Sequence, residues 1–548
     1  MTEYEAAAGL CVRGASEVDG SGPARQELAD HSVAGLLAEK DPTLWGKEAE
    51  AEAEVRLGWV DTFRRSRELL PRLAELKQEL AGLDHVVLAG MGGSSLAPEV
   101  IARTLGLGLT VLDTTDPHQV RSALADRLDR TVVVVSSKSG STVETDSHRR
   151  VYLQAFTDAG VAEPGKRFVI VTDPGSPLEQ TAREMGAHLV LADPDVGGRY
   201  SALTAFGMVP AALAGADVSE LLDQAEELHA TIGRDSTDGE GGENPSLALG
   251  SALGAAARAG RNKLALADDG TGITGLGDWV EQLVAESTGK QGKGILPVVV
   301  ESPTAAGATG TDVLTVTLGG AMPPHDMPGG GVEPHIAVNG PLGAQFLAWE
   351  TATALAGRLL GINPFDQPNV TESKENTQKI LSAGRPDEAP SFVEGAIEVH
   401  TTADVSTVAD ALRTVFPSAD GYLAVMAYLD RFGESDVEGV RAELAAASGR
   451  PVTFGWGPRF LHSTGQYHKG GPQVGAYLQI TGVVTDDLPV PGKPYSFGEL
   501  QAAQAAGDRQ ALAGRGRPLL WLHLTDRAAG AAQLLAATKA QQALAERT

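Results

Sequence analysis

The chain has 548 residues, too many for a single core, and at roughly 150 residues per unit it should divide into two to four. Hydrophobic residues make up 42% and charged residues 21%, with 44 Lys+Arg against 71 Asp+Glu and a formal net charge of −27. Such a surface repels nucleic acid and anionic membranes, so neither is expected as a partner, and any anionic ligand needs a local capture pocket.

The single cysteine, Cys11, cannot close an internal disulfide, and MTEYEAAAGLCVRG lacks a basic start followed by an apolar run. No window approaches the ~18 uninterrupted apolar residues of a membrane span, and the expected location is cytoplasmic. Along WVDTFRRSRELLPRLAELKQELAGLD the apolar residues Val60, Phe63, Leu69, Leu73 and Leu76 recur at threes and fours, which predicts helix with a kink at Pro71. Residues 1–80 are therefore read as a helical N-terminal segment.

Short apolar runs follow, ending in glycine or hydroxyl clusters: HVVLAGMGGSS, LTVLDTTDP, RTVVVVSSKSGS, RFVIVTDPGS and AHLVLADPD. Continuous apolar strands alternating with helices predict a doubly wound parallel sheet over 81–215. NKLALADDG, ILPVVVES and DVLTVTLG repeat the rhythm over 216–375, interrupted by DSTDGEGGENP and GGAMPPHDMPGGGVEPHIAV, which read as surface loops. SAGRPDEAPSFVEGA reads as a linker or crossing arm, and 376–548 as a C-terminal α/β extension with a helical tail. The fold class is α/β: two doubly wound parallel-sheet domains, a helical N-terminal segment and an additional C-terminal α/β region.

In open α/β sheets, ligands bind beyond the carboxyl ends of strands, where the next helix presents free N–H groups. LAGMGGSS places Gly90, Gly92 and Gly93 where a backbone must approach a ligand, with Ser94 and Ser95 opening a helix. SSKSGST supplies the hydroxyls of Ser137, Ser139, Ser141 and Thr142 around Lys138. Clustered neutral donors suit a phosphate, although Ser and Thr also simply cap helices. No G-x-x-x-x-G-K-[ST] pattern occurs and GMGGSS is not a G-x-G-x-x-G fingerprint, so a sugar phosphate is favoured over a nucleotide.

The pair GMGGSSLAP and SSKSGSTVET resembles the sugar isomerase domain. Joined in order by VGGRYSALTAFG, WVEQLVAESTGKQGKG and LLGINPFDQPNVTESK, the set resembles the glucose-6-phosphate isomerase family from about residue 85 to 375. The resemblance implies two sugar isomerase domains and phosphate contacts from Ser137, Ser139 and Thr142, with Lys138 beside them. It also implies sugar contacts from Gly92, Gly93 and Ser94. Glu286 is implied as the base, Arg199 as its electrostatic partner and Lys374 in ring opening, with Gln282 and Gln367 near the sugar. Proton transfer between adjacent carbons through an enediolate needs one carboxylate base and a fixed cation, and neither a metal nor a cofactor. Leu283, Val284 and Ala285 surround Glu286 with apolar side chains that would raise its pKa. Read alone, Glu286 could be a solvated helix residue, Arg199 could pair with Asp193 or Asp195, and Lys374 could be a surface lysine.

One departure concerns the family's histidine, which lies between the glutamate and lysine motifs. Here that interval holds only His325 and His335, in the Pro/Gly-rich loop. GPRFLHSTGQYHKGGP, far downstream, offers His462 as the ring-opening acid and base, with His468 second. The resemblance further implies a homodimer, in which the histidine can come from a neighbouring subunit. The expected activity is interconversion of glucose 6-phosphate and fructose 6-phosphate. The alternatives are a dual phosphoglucose/phosphomannose isomerase and a sugar-phosphate-binding regulator without catalysis.

Overall fold

The computed structural model describes residues 4–235, 243–321, 335–384 and 388–545. The two glycine-rich stretches expected as loops lie largely outside these residues, as does His325.

The chain opens with a hairpin, β1 (Tyr4–Ala7) and β2 (Leu10–Arg13), so the N-terminal segment is not purely helical. The helical rhythm after it breaks into short helices, among them Thr62–Ser66 and Leu70–Glu79. Pro71 lies in the first turn of the latter and starts a helix instead of kinking one, because that position needs no N–H partner.

The first sheet holds β3 (His85–Gly90), β4 (Thr110–Leu112), β5 (Thr131–Ser136), β6 (Phe168–Thr172) and β7 (His188–Leu191), in the order β4-β3-β5-β6-β7. All its pairings are parallel. The four valines of β5 show why the apolar run is unbroken. Val132 and Val134 face one core and Val133 and Val135 the other, so alternate side chains are buried on opposite faces. Helix α1 (Leu96–Leu105) follows β3, and α2 (Val143–Asp158) follows β5.

The second sheet contains β8 (Lys263–Asp268), β9 (Leu296–Val299), β10 (Val313–Gly319) and β11 (Ile336–Asn339), with α3 (Leu276–Thr288) between β8 and β9. Its order is β1-β2-β11-β10-β8-β9, the hairpin adding two antiparallel strands at one edge with Val12 opposite Val338. Helices α4 (Leu342–Leu360) and α5 (Thr371–Ala383) follow.

The third sheet is built from β12 (Phe392–Glu394), β13 (Ile397–His400), β14 (Tyr422–Tyr428), β15 (Val452–Trp456), β16 (Gly475–Gly482) and β17 (Leu519–Leu524). The order is β12-β13-β17-β16-β14-β15, parallel from β14 to β17. The stretch SAGRPDEAPSFVEGA therefore ends in a strand, β12, and is more than a linker. Helices α6 (Gly465–Gly470), α7 (Phe497–Ala513) and α8 (Arg527–Ala545) belong to this part. None of the described helices is long and apolar enough to cross a membrane.

Two mixed cores hold the third sheet in place. Ala265, Leu296 and Val298 pack with Tyr422, Met426, Phe460 and Tyr477, fixing it to the second sheet. Val133 and Ile170 pack with Val490 and Phe497, fixing it to the first. The carboxyl ends of β3 and β5, helix α3 and the segment after β15 consequently meet at one place.

Candidate active site

The loop after β3 is shaped by what comes against it. Gly92 has φ +54°, and a Cβ there would lie 2.6 Å from Gln282 Nε2 and 2.9 Å from the His462 carbonyl oxygen. At Gly93 a Cβ would sit 1.8 Å from the Gly198 carbonyl oxygen. These glycines let α3, the Arg199 segment and the His462 segment converge on one strand end.

At the end of β5, Ser137 Oγ and Thr142 Oγ1 are 2.9 Å apart, and Ser139 Oγ and Ser141 Oγ are 3.0 Å apart. Thr142 precedes α2, but among the described residues its hydroxyl caps no helix N–H. The helix start thus presents N–H groups beside a group of hydroxyls, an arrangement suited to an anion. Lys138 turns out of this group and donates to Asp173 Oδ2 at 2.6 Å and to the Pro194 carbonyl at 3.2 Å.

Arg199 sits in the one-turn 3-10 helix Gly198–Tyr200 and is 3% exposed. Its Nε donates to Ser287 Oγ at 2.9 Å, Nη1 to Gln367 Oε1 at 2.7 Å, and Nη2 to the carbonyls of Pro364 (2.7 Å) and Asp366 (2.9 Å). The guanidinium is locked, with Nη1 3.4 Å from Glu286 Oε1. Asp193 and Asp195 pair with Arg65, so the simpler explanation of Arg199 does not hold.

Glu286, on α3, is half-buried, whereas Leu283, Val284 and Ala285 before it are buried. Its surroundings are polar, contrary to the apolar pocket expected from its neighbours in sequence. Gln282, one turn earlier, donates to Glu286 Oε2 at 3.1 Å and to the His462 carbonyl at 2.8 Å.

His462 ends the 3-10 turn Arg459–His462 after β15, and its Nε2 lies 3.1 Å from Glu144 Oε1. Glu144 is in the first turn of α2, two residues beyond Thr142, and also accepts from Gln504 Nε2 at 2.6 Å. Burial works against its ionisation, yet the charge and hydrogen bond of His462, with Lys374 adding charge, hold the carboxyl down at about 2. Lys374, on α5, is itself exposed. His468 lies elsewhere. It is buried in α6, with Nδ1 3.0 Å from the Tyr422 hydroxyl and its ring stacked on that tyrosine, and burial, with the charges of Lys469 and Arg517, lowers its pKa to about 3. His468 is thus a core histidine, outside the hydrogen bonds that join His462 to Glu144 and Gln282.

Glu144, two residues after Thr142, is thus joined to His462, whose carbonyl is joined through Gln282 to Glu286, Arg199 and Gln367. Two members were missed in the sequence. Glu144 is the next-to-last residue of SSKSGSTVET and looks like an ordinary helix-start acid until His462 arrives. Lys290, in STGKQGKG, is buried and donates to Asp366 Oδ1 at 2.6 Å and the Asn363 carbonyl at 2.7 Å, fixing the turn that holds Arg199. Burial, then the charge of Arg199, lowers the Lys290 pKa to about 8.

Parallel sheets whose strand ends carry glycine and hydroxyl loops, closed over by a carboxylate-bearing helix, define the sugar isomerase domain class. Two solved structures share the fold: a hypothetical protein from Thermus thermophilus (TM-score 0.57, 24% identity, 70% of this chain and 100% of that one) and a glucose-6-phosphate isomerase from Chlamydia trachomatis (0.54, 20%, 70% and 90%). Residues 76–310 match the family model described as phosphoglucose isomerase. A glucose-6-phosphate isomerase of Gloeothece citriformis is 35% identical over 216 residues, 38% of this chain and 40% of that protein. A probable glucose-6-phosphate isomerase of Methanococcus maripaludis is 24% identical over 399 residues, 63% of this chain and 89% of that protein. The chain is thus similar to phosphoglucose isomerases over residues 76–310, and it spans about half or less of the length of several curated relatives, 40%, 50% and 51% in three cases. Glu144, Arg199, Gln282 and Glu286 fall inside the matched region, whereas Gln367, Lys374 and His462 lie beyond it.

Proposed function

We propose that this protein interconverts glucose 6-phosphate and fructose 6-phosphate without a cofactor. The observation that carries this reading is Glu286 set between Arg199 at 3.4 Å and Gln282 at 3.1 Å, next to the His462 and Glu144 pair. The substrate phosphate binds the hydroxyls of Ser137, Ser139 and Thr142 and the N–H groups opening α2, and Lys138 lends charge from its ion pair. Gly92, Gly93 and Ser94 border the sugar.

His462, oriented by Glu144, gives a proton to the ring oxygen and takes one from the anomeric hydroxyl, with Lys374 alongside, and the ring opens. Glu286 removes the C2 proton and returns it to C1, while Arg199 stabilises the oxyanion of the enediolate. Gln282 and Gln367 hold sugar hydroxyls.

The working units of the chain are 1–80, 81–215, 216–375 and 376–548: the second holds the phosphate, the third the base and the fourth the histidine. Since His462 meets Glu144 within one chain, the homodimer implied by the resemblance is not needed to complete the site. We place the enzyme in the cytoplasm.

Purified protein is offered glucose 6-phosphate, fructose 6-phosphate and mannose 6-phosphate. Turnover of the first pair alone supports the reading, and turnover of all three supports the dual isomerase. Sugar-phosphate binding with no turnover would leave the regulator.

A further inference from the structure

Glu144 is held by more than His462. Its Oε1, 3.1 Å from His462 Nε2, also accepts from Gln504 Nε2 at 2.6 Å, and Gln504 Oε1 in turn accepts from Thr115 Oγ1 at 2.7 Å. Thr115, Glu144 and Gln504 are all buried, so solvent does not compete for these bonds. The three come from separate parts of the chain. Thr115 lies in the loop after β4, Glu144 in the first turn of α2, and Gln504 in α7, 389 residues beyond the first and 360 beyond the second.

The donors and acceptors fit together in one order. Glu144 is ionised and a carboxylate only accepts, so Gln504 turns its NH2 group towards Glu144 and its carbonyl away. A flipped amide would set oxygen against oxygen at Glu144. The Thr115 hydroxyl donates to the carbonyl and fixes the other end of the amide. By the same rule the hydrogen between His462 and Glu144 sits on His462 Nε2, which leaves Nδ1 to exchange a proton with a ligand.

Gln504 does not stand alone on its helix. Gln501, Gln504 and Asp508, at i, i+3 and i+7, share one face of α7 and are buried. Gln501 Nε2 donates to Asp116 Oδ2 at 3.3 Å, and Asp508 Oδ1 is 2.6 Å from Lys469 Nζ in α6. Asp116, beside Thr115, also accepts from Arg527 Nη2 at 2.8 Å, which ties α8 to the same loop. A buried polar face adds little net stability, since apolar pairs of the same shape would serve nearly as well. What it supplies is a single register between α7 and the loop after β4, with Gln504 aimed at Glu144.

We propose that Gln504, its amide held by Thr115, is a positioning residue for Glu144 and through it for His462, so that α7 sets the geometry of the ring-opening step. The geometric part stands on the hydrogen bonds, and the kinetic part rests on the isomerase reading, so each has its own measurement.

The first is the His462 Nε2–H resonance in the proton NMR spectrum of the full chain labelled with nitrogen-15 histidine, identified by its disappearance in His462→Gln. It should be present in the parent, lost to exchange in Gln504→Met, faster to exchange in Thr115→Val and restored in Thr115→Ser. Absence from the parent, or retention in Gln504→Met with the parent's shift and exchange rate, would overturn the positioning whatever the turnover. The second compares kcat/KM for glucose 6-phosphate with that for a 2-hydroxyaldehyde phosphate too short to close a stable ring. Gln504→Met should lower the first about tenfold and the second less than about twofold, while Thr115→Val lowers the first about threefold and Thr115→Ser brings it back to within about twofold of the parent. Thr115→Val carries both measurements if Gln504→Met does not fold. Equal losses on the two substrates, or a loss in Thr115→Ser as large as in Thr115→Val, would overturn the proposal. A parent that turns over neither substrate would overturn the kinetic part together with the isomerase reading, and the resonance still decides the positioning.

Discussion

Replacing Glu144 by glutamine tests the role given to His462. The substitution keeps shape and an acceptor oxygen but removes the charge opposite His462 Nε2, 3.1 Å away, while the carbonyl can still accept from Gln504. The side chains are 20% and 5% exposed, so solvent screens the pair only in part. A hydrogen bond to an ionised partner contributes about 1.5 kcal/mol more than a neutral one, which converts to roughly tenfold in rate. The loss should appear only where a ring must open. Turnover of glucose 6-phosphate, a cyclic substrate, is therefore compared with turnover of a 2-hydroxyaldehyde phosphate too short to close a stable ring. The first should fall about tenfold and the second less than about twofold. Equal losses on both substrates would refute the assignment of His462 and Glu144 to ring opening.

The same variant should change acid stability. With its pKa held at about 2 against an ordinary 4.5, Glu144 stabilises the fold fully above pH 4.5, and this contribution is lost as pH falls toward 2. Denaturant titrations across that window should show a shallower acid decline for Glu144→Gln than for the parent. His468→Phe should keep turnover within about twofold of the parent and lower stability by about 1 kcal/mol, since the Tyr422 hydroxyl loses one partner and keeps Tyr477; a large loss of turnover would return His468 to the site. Gly93→Ala should fail to fold normally or lose activity, because its Cβ would lie 1.8 Å from the Gly198 carbonyl, and unchanged stability and turnover would contradict the close approach.

The first sheet was legible because burial on both faces writes itself as an unbroken apolar run, as in Val132 to Val135. The N-terminal hairpin was not, because each of its strands is four residues long and the strand it joins in the sheet, β11, lies more than 300 residues away. Arg199 and Glu286 were found through ordered motifs, and their contact at 3.4 Å needed the fold. Glu144 carried no local sign of its role, because the partner that gives it one, His462, is 318 residues distant. His462 and His468 share one motif and differ only in burial, which six residues of sequence cannot report. The polar setting of Glu286 was likewise hidden, since a helix sends successive residues in different directions.

The central claim is that Glu286 moves a proton between the two carbons. Fructose 6-phosphate incubated with the protein in deuterium oxide should take up solvent deuterium at C1, and the glucose 6-phosphate formed should carry it at C2. Glu286→Gln should lower this exchange by about 100-fold to 10,000-fold while binding of the sugar phosphate persists. Exchange at the parent rate in Glu286→Gln would contradict the account.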